Sequence, residues 1–138
     1  MRRAIRLHRR ATPAAVAAAL ILAVAFVVAA RAATTVPEIT NLRATPARFC
    51  AKAASSCGSA GTTIRFHLST AATVRANIWP RFRNEAGYFE WNRHFGAGDV
   101  STRLNDSRLK PGRWTFKVQG KNNVGSGTTA NIDVRVVK

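Results

Sequence analysis

Acidic side chains are scarce in this 138-residue chain: six Asp and Glu stand against 22 Lys and Arg, a formal net charge of +16. The six are Glu38, Glu85, Glu90, Asp99, Asp106 and Asp133, so chemistry built on paired carboxylates has few candidates. Only Cys50 and Cys57 carry thiols, and with no third cysteine and no nearby histidine the chain lacks the four ligands of a structural zinc site. No Gly-x-Ser-x-Gly elbow, phosphate-binding loop or His-Glu-x-x-His motif occurs, which removes the commonest hydrolase and nucleotide-binding signatures. Sustained helical periodicity is missing from residue 33 onward, which excludes the helical-bundle and α/β classes.

The one long apolar run lies near the start. Arg2, Arg3, Arg6, Arg9 and Arg10 form a basic leader, and Ala14 to Ala30 follow without a charge. Ala30-Arg31-Ala32 then places small residues where a signal peptidase reads them. A signal helix over residues 1–32, cleaved after Ala32, is the expectation, with a retained membrane anchor as the alternative. As a helix the run spans about 26 Å, slightly short of a hydrocarbon core of about 30 Å, and it is rich in Ala. The arginines hold the N-terminus inside under either reading, so residue 33 onward lies outside the cell. The residues flanking Arg2-Arg3 match a twin-arginine signal poorly.

Residues 33–138 then make one domain's worth of chain, enough for a single core. Cys50 and Cys57 bracket a Ser/Ala/Gly-rich loop, and an extracellular location favours their pairing as a disulfide. Short alternating runs fill the rest. Glu38 to Ala44 reads as a weakly patterned edge strand. In Thr62 to Ser69, Ile64, Phe66 and Leu68 share one face; in Thr73 to Trp79, Val74, Ala76 and Ile78 do. Tyr88 to Phe95 sets Phe89, Trp91 and Phe95 against Tyr88, Glu90, Asn92 and His94, which predicts Phe89 in the core and leaves Tyr88, Trp79 and Phe82 as exposed aromatics. Val100 to Leu104 is a short strand. Trp114, Phe116 and Val118 oppose Arg113, Thr115 and Lys117, and Ala130 to Val136 alternates to the end. Even spacing with Gly, Pro or Asn between strands predicts an antiparallel β-sandwich of about seven strands.

Leu109-Lys110-Pro111-Gly112 leading into Arg113 to Val118, and Asn122-Asn123-Val124-Gly125 after it, carry a family resemblance. They are similar to the turn into the penultimate strand, and the Asn-x-x-Gly turn after it, of fibronectin type III and related immunoglobulin-like domains. The match covers about the last thirty residues, and Thr62 to Trp79 more loosely, and it resembles small secreted proteins of the actinobacterial type. The resemblance implies an all-β binding or structural module. Two positions depart from it. Trp114 stands where the family has a corner tyrosine and has no hydroxyl to bond the preceding loop, and Phe66 stands in place of an early-strand tryptophan.

Function follows from charge more than from motifs. Residues 33–138 hold 16 Lys and Arg against the six acids, a net of +10, an excess that attracts polyanions. If the strand order follows the resemblance, Arg75, Trp79, Arg113, Lys117 and Arg135 share one outward face and form the candidate ligand-binding site. The partners this face suits are an anionic cell-envelope polymer, an acidic glycan or a surface protein. Nucleic acid is a poor partner outside the cell, and membrane contact requires that the N-terminal segment be retained. No cofactor and no metal is expected, and the domain is expected to act as a monomer, secreted or on the outer face of the envelope. The rival readings are a small secreted hydrolase using Glu85, Glu90 or His94, with His67 and His94 at outward strand positions, and a membrane-tethered accessory subunit.

Overall fold

The computed structural model describes residues 33–54, 56, 57, 59–81 and 86–138; the N-terminal leader, Phe82 and Glu85 lie outside them. Eight strands follow one another: β1 (Ile39–Thr45), β2 (Arg48–Cys50), β3 (Thr62–Leu68), β4 (Ala72–Pro80), β5 (Tyr88–Phe95), β6 (Gly98–Leu104), β7 (Gly112–Lys121) and β8 (Ala130–Val137). They form two sheets, of three strands in the order β1-β3-β6 and of five in the order β2-β8-β7-β4-β5. Every pairing is antiparallel except β2 against β8.

The alternation along each strand decides which face is buried. Ile64, Phe66 and Leu68 of β3, Val74, Ala76 and Ile78 of β4, and Trp114, Phe116 and Val118 of β7 all point into one core. Successive side chains of a strand point to opposite faces, so burying these nine residues turns Arg75, Asn77 and Trp79 of β4 and Arg113, Thr115 and Lys117 of β7 outward. Val134 and Val136 do the same for Arg135 on β8. The two sheets thus enclose one core as a β-sandwich, and Ala33–Lys138 forms a single compact unit.

The strand missed in the sequence is β2. Three residues are too few to show a period, yet Phe49 and Cys50 are buried and the pairing is parallel to the last strand, with Arg135 N–H donating to the Ala47 carbonyl at 2.9 Å. The chain thus crosses from β1 in one sheet to β2 in the other through Pro46. Cys50 ends β2 and is bonded to Cys57, their Cα atoms 6.1 Å apart, a covalent link of the kind that persists in an oxidising compartment. Among the described residues no helix is long and apolar enough to cross a membrane.

Three expectations need correction. Trp114 does bond the preceding loop: its indole Nε1–H donates to the Lys110 carbonyl at 2.9 Å, the ring nitrogen doing what a phenol hydroxyl does. Phe89 is not in the core. Ala76 pairs with Trp91 but Asn77 pairs with Phe89, so Glu90 is an extra residue in β5, a β-bulge that reverses the phase on one side of it. Phe89 therefore faces outward, 50% exposed, while Trp91 stays buried and Phe95 packs edge-on against Phe66 at 5.9 Å. The same bulge turns Tyr88 inward, where it stacks on Trp114 with ring centroids 5.9 Å apart.

Candidate functional site

The five residues singled out in the sequence all lie on the outer face of the five-stranded sheet. Strand pairing places them in rows across the strands. One row runs Asn131, Lys117, Asn77, Phe89; the next runs Asp133, Thr115, Trp79. Arg75 lies opposite Gln119 on one side and Asn92 on the other. Arg113 and Arg135 face each other directly at the end of the sheet.

Arg75, Trp79 and Lys117 meet around a shallow groove of about 260 Å³, which Asn77 and Gln119 also line. The Lys117 ammonium sits 5.8 Å from the centre of the Trp79 ring, and the Arg75 guanidinium 5.6 Å from that of Phe89. Both distances fall within the range in which a cation is attracted to an aromatic face. Trp79 is 47% exposed. Its ring lies against Gly87, where any Cβ would overlap the indole, so a glycine is required at that place for the ring to keep its position. The outcome is a surface carrying two exposed aromatics, each beside a cation, with amide side chains between them. Such a surface offers stacking area, hydrogen-bond donors and positive charge together.

Phe89 belongs to this surface and was missed because the alternation around it is broken by one inserted residue. Asp133 is the one carboxylate, among the described residues, on the outer face of β2, β4, β7 and β8, and it is already engaged. It accepts a hydrogen bond from Thr115 Oγ1 at 3.0 Å and a second from the Arg81 guanidinium.

The acids of the rival reading are arranged differently. The Glu90 side chain is only 7% exposed and bonds to Asp106, which in turn is held by Arg108 through Nε (2.8 Å), Nη2 (2.7 Å) and the backbone N–H (2.9 Å). Burial, then the hydrogen bond and charge of Asp106, push the Glu90 carboxyl up to about 7, against a smaller downward pull from Arg108. For Asp106 burial is the largest influence and acts upward, but the hydrogen bonds from Arg108 and Glu90 outweigh it and hold that carboxyl below its ordinary value. Arg108 also lies 4.6 Å over the Tyr88 ring, so the group closes one end of the core between β5 and the turn into β7. His94 is exposed on β5, and His67 is exposed on β3, bonded through Nδ1 to the Asp99 carboxylate at 2.9 Å. Glu90, Asp106 and the histidines are not gathered in one place, and among the described residues no group of three His, Cys, Asp or Glu is placed to hold a metal ion. No protein-family model matches the chain, and no curated protein matches it in sequence.

Proposed function

We propose that the chain is an exported, non-catalytic binding module of immunoglobulin or fibronectin type III character, which adheres to an anionic polymer of the cell envelope. The observation that carries the reading is the outer face of the five-stranded sheet, where Arg75, Lys117, Arg113 and Arg135 stand on neighbouring strands with exposed Trp79 and Phe89. Support for the fold character comes from the two-sheet arrangement and the Pro111-Gly112 and Asn122-to-Gly125 turns. Asn122 Oδ1 accepts from the backbone N–H of Val124 and Gly125 at 2.9 and 3.1 Å, closing the second turn. Support for export comes from the disulfide together with the basic leader and apolar run of the sequence.

Affinity in this reading comes from charge and orientation from the aromatics. Positive groups on a rigid sheet concentrate a polyanion by their summed field, and aromatic faces hold the uncharged part of each repeat. The buried Glu90–Asp106–Arg108 group serves the fold in this reading, since Asp106 is held by Arg108 and Glu90 is buried beside them. The test is retention of the purified protein on cell envelopes. Reversing charge in R75E/K117E/R113E/R135E is expected to abolish retention with an unchanged circular dichroism spectrum. Retention equal to that of the unaltered protein would remove the face from consideration.

A further inference from the structure

The end of the same face holds a feature that alternation alone does not display. Arg48 of β2 is paired with Arg135 of β8, and Arg135 with Arg113 of β7. Arg81, immediately after β4, donates its backbone N–H to the Arg113 carbonyl at 3.0 Å and so continues the line. Three arginines on three adjacent strands, and Arg81 just past the end of β4, therefore stand side by side, all exposed. Neighbouring strands are about 4.8 Å apart, so the row is roughly 14 Å long and runs across the strands.

Like charges directly opposite one another destabilise a sheet, and no packing requirement calls for arginine at exposed positions. Arg81 is bound to Asp133. Arg48, Arg135 and Arg113 make no ion pair with an acidic residue among the described residues. Three arginines in register across neighbouring strands leave two gaps, each flanked by two residues whose guanidinium forks carry N–H donors. A planar carboxylate presents two oxygens to one fork. A tetrahedral oxyanion directs its oxygens apart and can accept from the forks on both sides of a gap. Trp79 of β4 lies on the next row, opposite Thr115 and two residues before Arg81, which sets the rows about 7 Å apart at the usual rise per residue. Its exposed ring suits the sugar or polyol between successive anions.

We infer that the Arg48–Arg135–Arg113 row, continued by Arg81, is a binding site for a phosphodiester-linked sugar or polyol chain lying across the strands, with Trp79 against the unit between phosphates. This rests on the adhesion reading above and gives its ligand a chemical class. It also adds Arg48, a residue on the short parallel strand, to the site.

The experiment measures binding of the purified protein to a glycerol-phosphodiester oligomer by calorimetry, between about 50 and 200 mM salt. Each charge contact with a flexible polyanion contributes about 0.7 to the slope of log K against log salt, so R48Q/R113Q/R135Q is expected to flatten that slope by about 2. Affinity at the lower salt should fall at least about tenfold, the loss for three phosphate contacts. R43Q/R65Q, at exposed positions on the three-stranded sheet, is expected to keep the slope lost in the triple variant. Removing like-charge neighbours should also raise the thermal midpoint of the triple variant, which keeps misfolding from being mistaken for lost binding. An unchanged slope in the triple variant, with binding lost in R75Q/K117Q, would overturn the arginine row and leave the broader reading standing. Equal or tighter binding to polygalacturonate would overturn the phosphodiester assignment in favour of carboxylates. Tighter binding to phosphatidylglycerol vesicles than to the oligomer would overturn the polymer in favour of a lipid surface. Absence of binding to the oligomer, the polygalacturonate, the vesicles and cell envelopes alike would overturn both readings.

Discussion

Glu90→Gln isolates one of two neighbouring buried carboxyl groups, Glu90 and Asp106, whose protonation is tied to folding. In the folded protein burial and the neighbouring Asp106 raise Glu90 to about 7, whereas in the unfolded chain it titrates near 4.3. Below about pH 4 the group is protonated in both states and its contribution is fully present. Between there and about pH 7 the folded state keeps a proton that the unfolded chain has released, so stability falls as pH rises through that window. At about 1.36 kcal/mol for each pKa unit, the whole loss is at most about 4 kcal/mol and is reduced where solvent screens the group. Glutamine is neutral throughout and keeps an amide N–H to donate to Asp106, so the variant should not show this decline. Asp106 works in the opposite direction: its carboxyl is held low, so its contribution is present above its unfolded value near 4 and lost as pH falls below that. Urea unfolding followed by tryptophan fluorescence from about pH 5 to 8 spans the Glu90 window without entering that of Asp106. The unaltered protein is expected to lose about 2 kcal/mol across that range and E90Q well under half as much. Equal slopes in the two proteins would refute the account of the buried group.

Other substitutions read separate parts of the structure. Trp114→Phe removes the indole N–H that binds the Lys110 carbonyl and part of a fully buried ring, and should cost about 2–3 kcal/mol by chemical denaturation. C50A/C57A opens a short loop, whose closure contributes roughly 2–3 kcal/mol on the chain-entropy account; a thermal midpoint unmoved from that of the oxidised protein would contradict it. Gly87→Ala sets a Cβ against the Trp79 ring and the Ile78 carbonyl and is expected both to displace the ring, weakening envelope retention, and to lower the thermal midpoint, measured by sedimentation and thermal melting together.

Periodicity made most of the fold legible because seven of the eight strands are long enough to alternate, and β3, β4 and β7 have nearly the whole of one face committed to the core. Arg75, Trp79, Arg113, Lys117 and Arg135 were readable as one face for that reason: when Val74, Phe116 and Val134 are inside, their neighbours must be outside. Two features escaped. The β5 bulge has no local signature, because an inserted Glu90 between Phe89 and Trp91 looks like ordinary alternation until the partner strand is known. Phe89 and Tyr88 consequently exchange places between core and surface. The arginine row escaped because it depends on register across strands distant in sequence: Arg48 and Arg135 are neighbours only through the parallel pairing of β2 with β8. Trp114 shows a different limit. The residue type suggested a lost hydrogen bond, whereas the indole nitrogen reaches the same loop by another geometry.

If a charged sheet face holds the protein to an anionic surface, co-sedimentation with cell envelopes across a salt series reads that charge. Charge-driven adhesion predicts retention that falls steeply between about 50 and 200 mM salt, since each displaced counterion adds to the slope. Retention that does not change over the same range would contradict it and would assign binding to the uncharged contacts of Trp79 and Phe89.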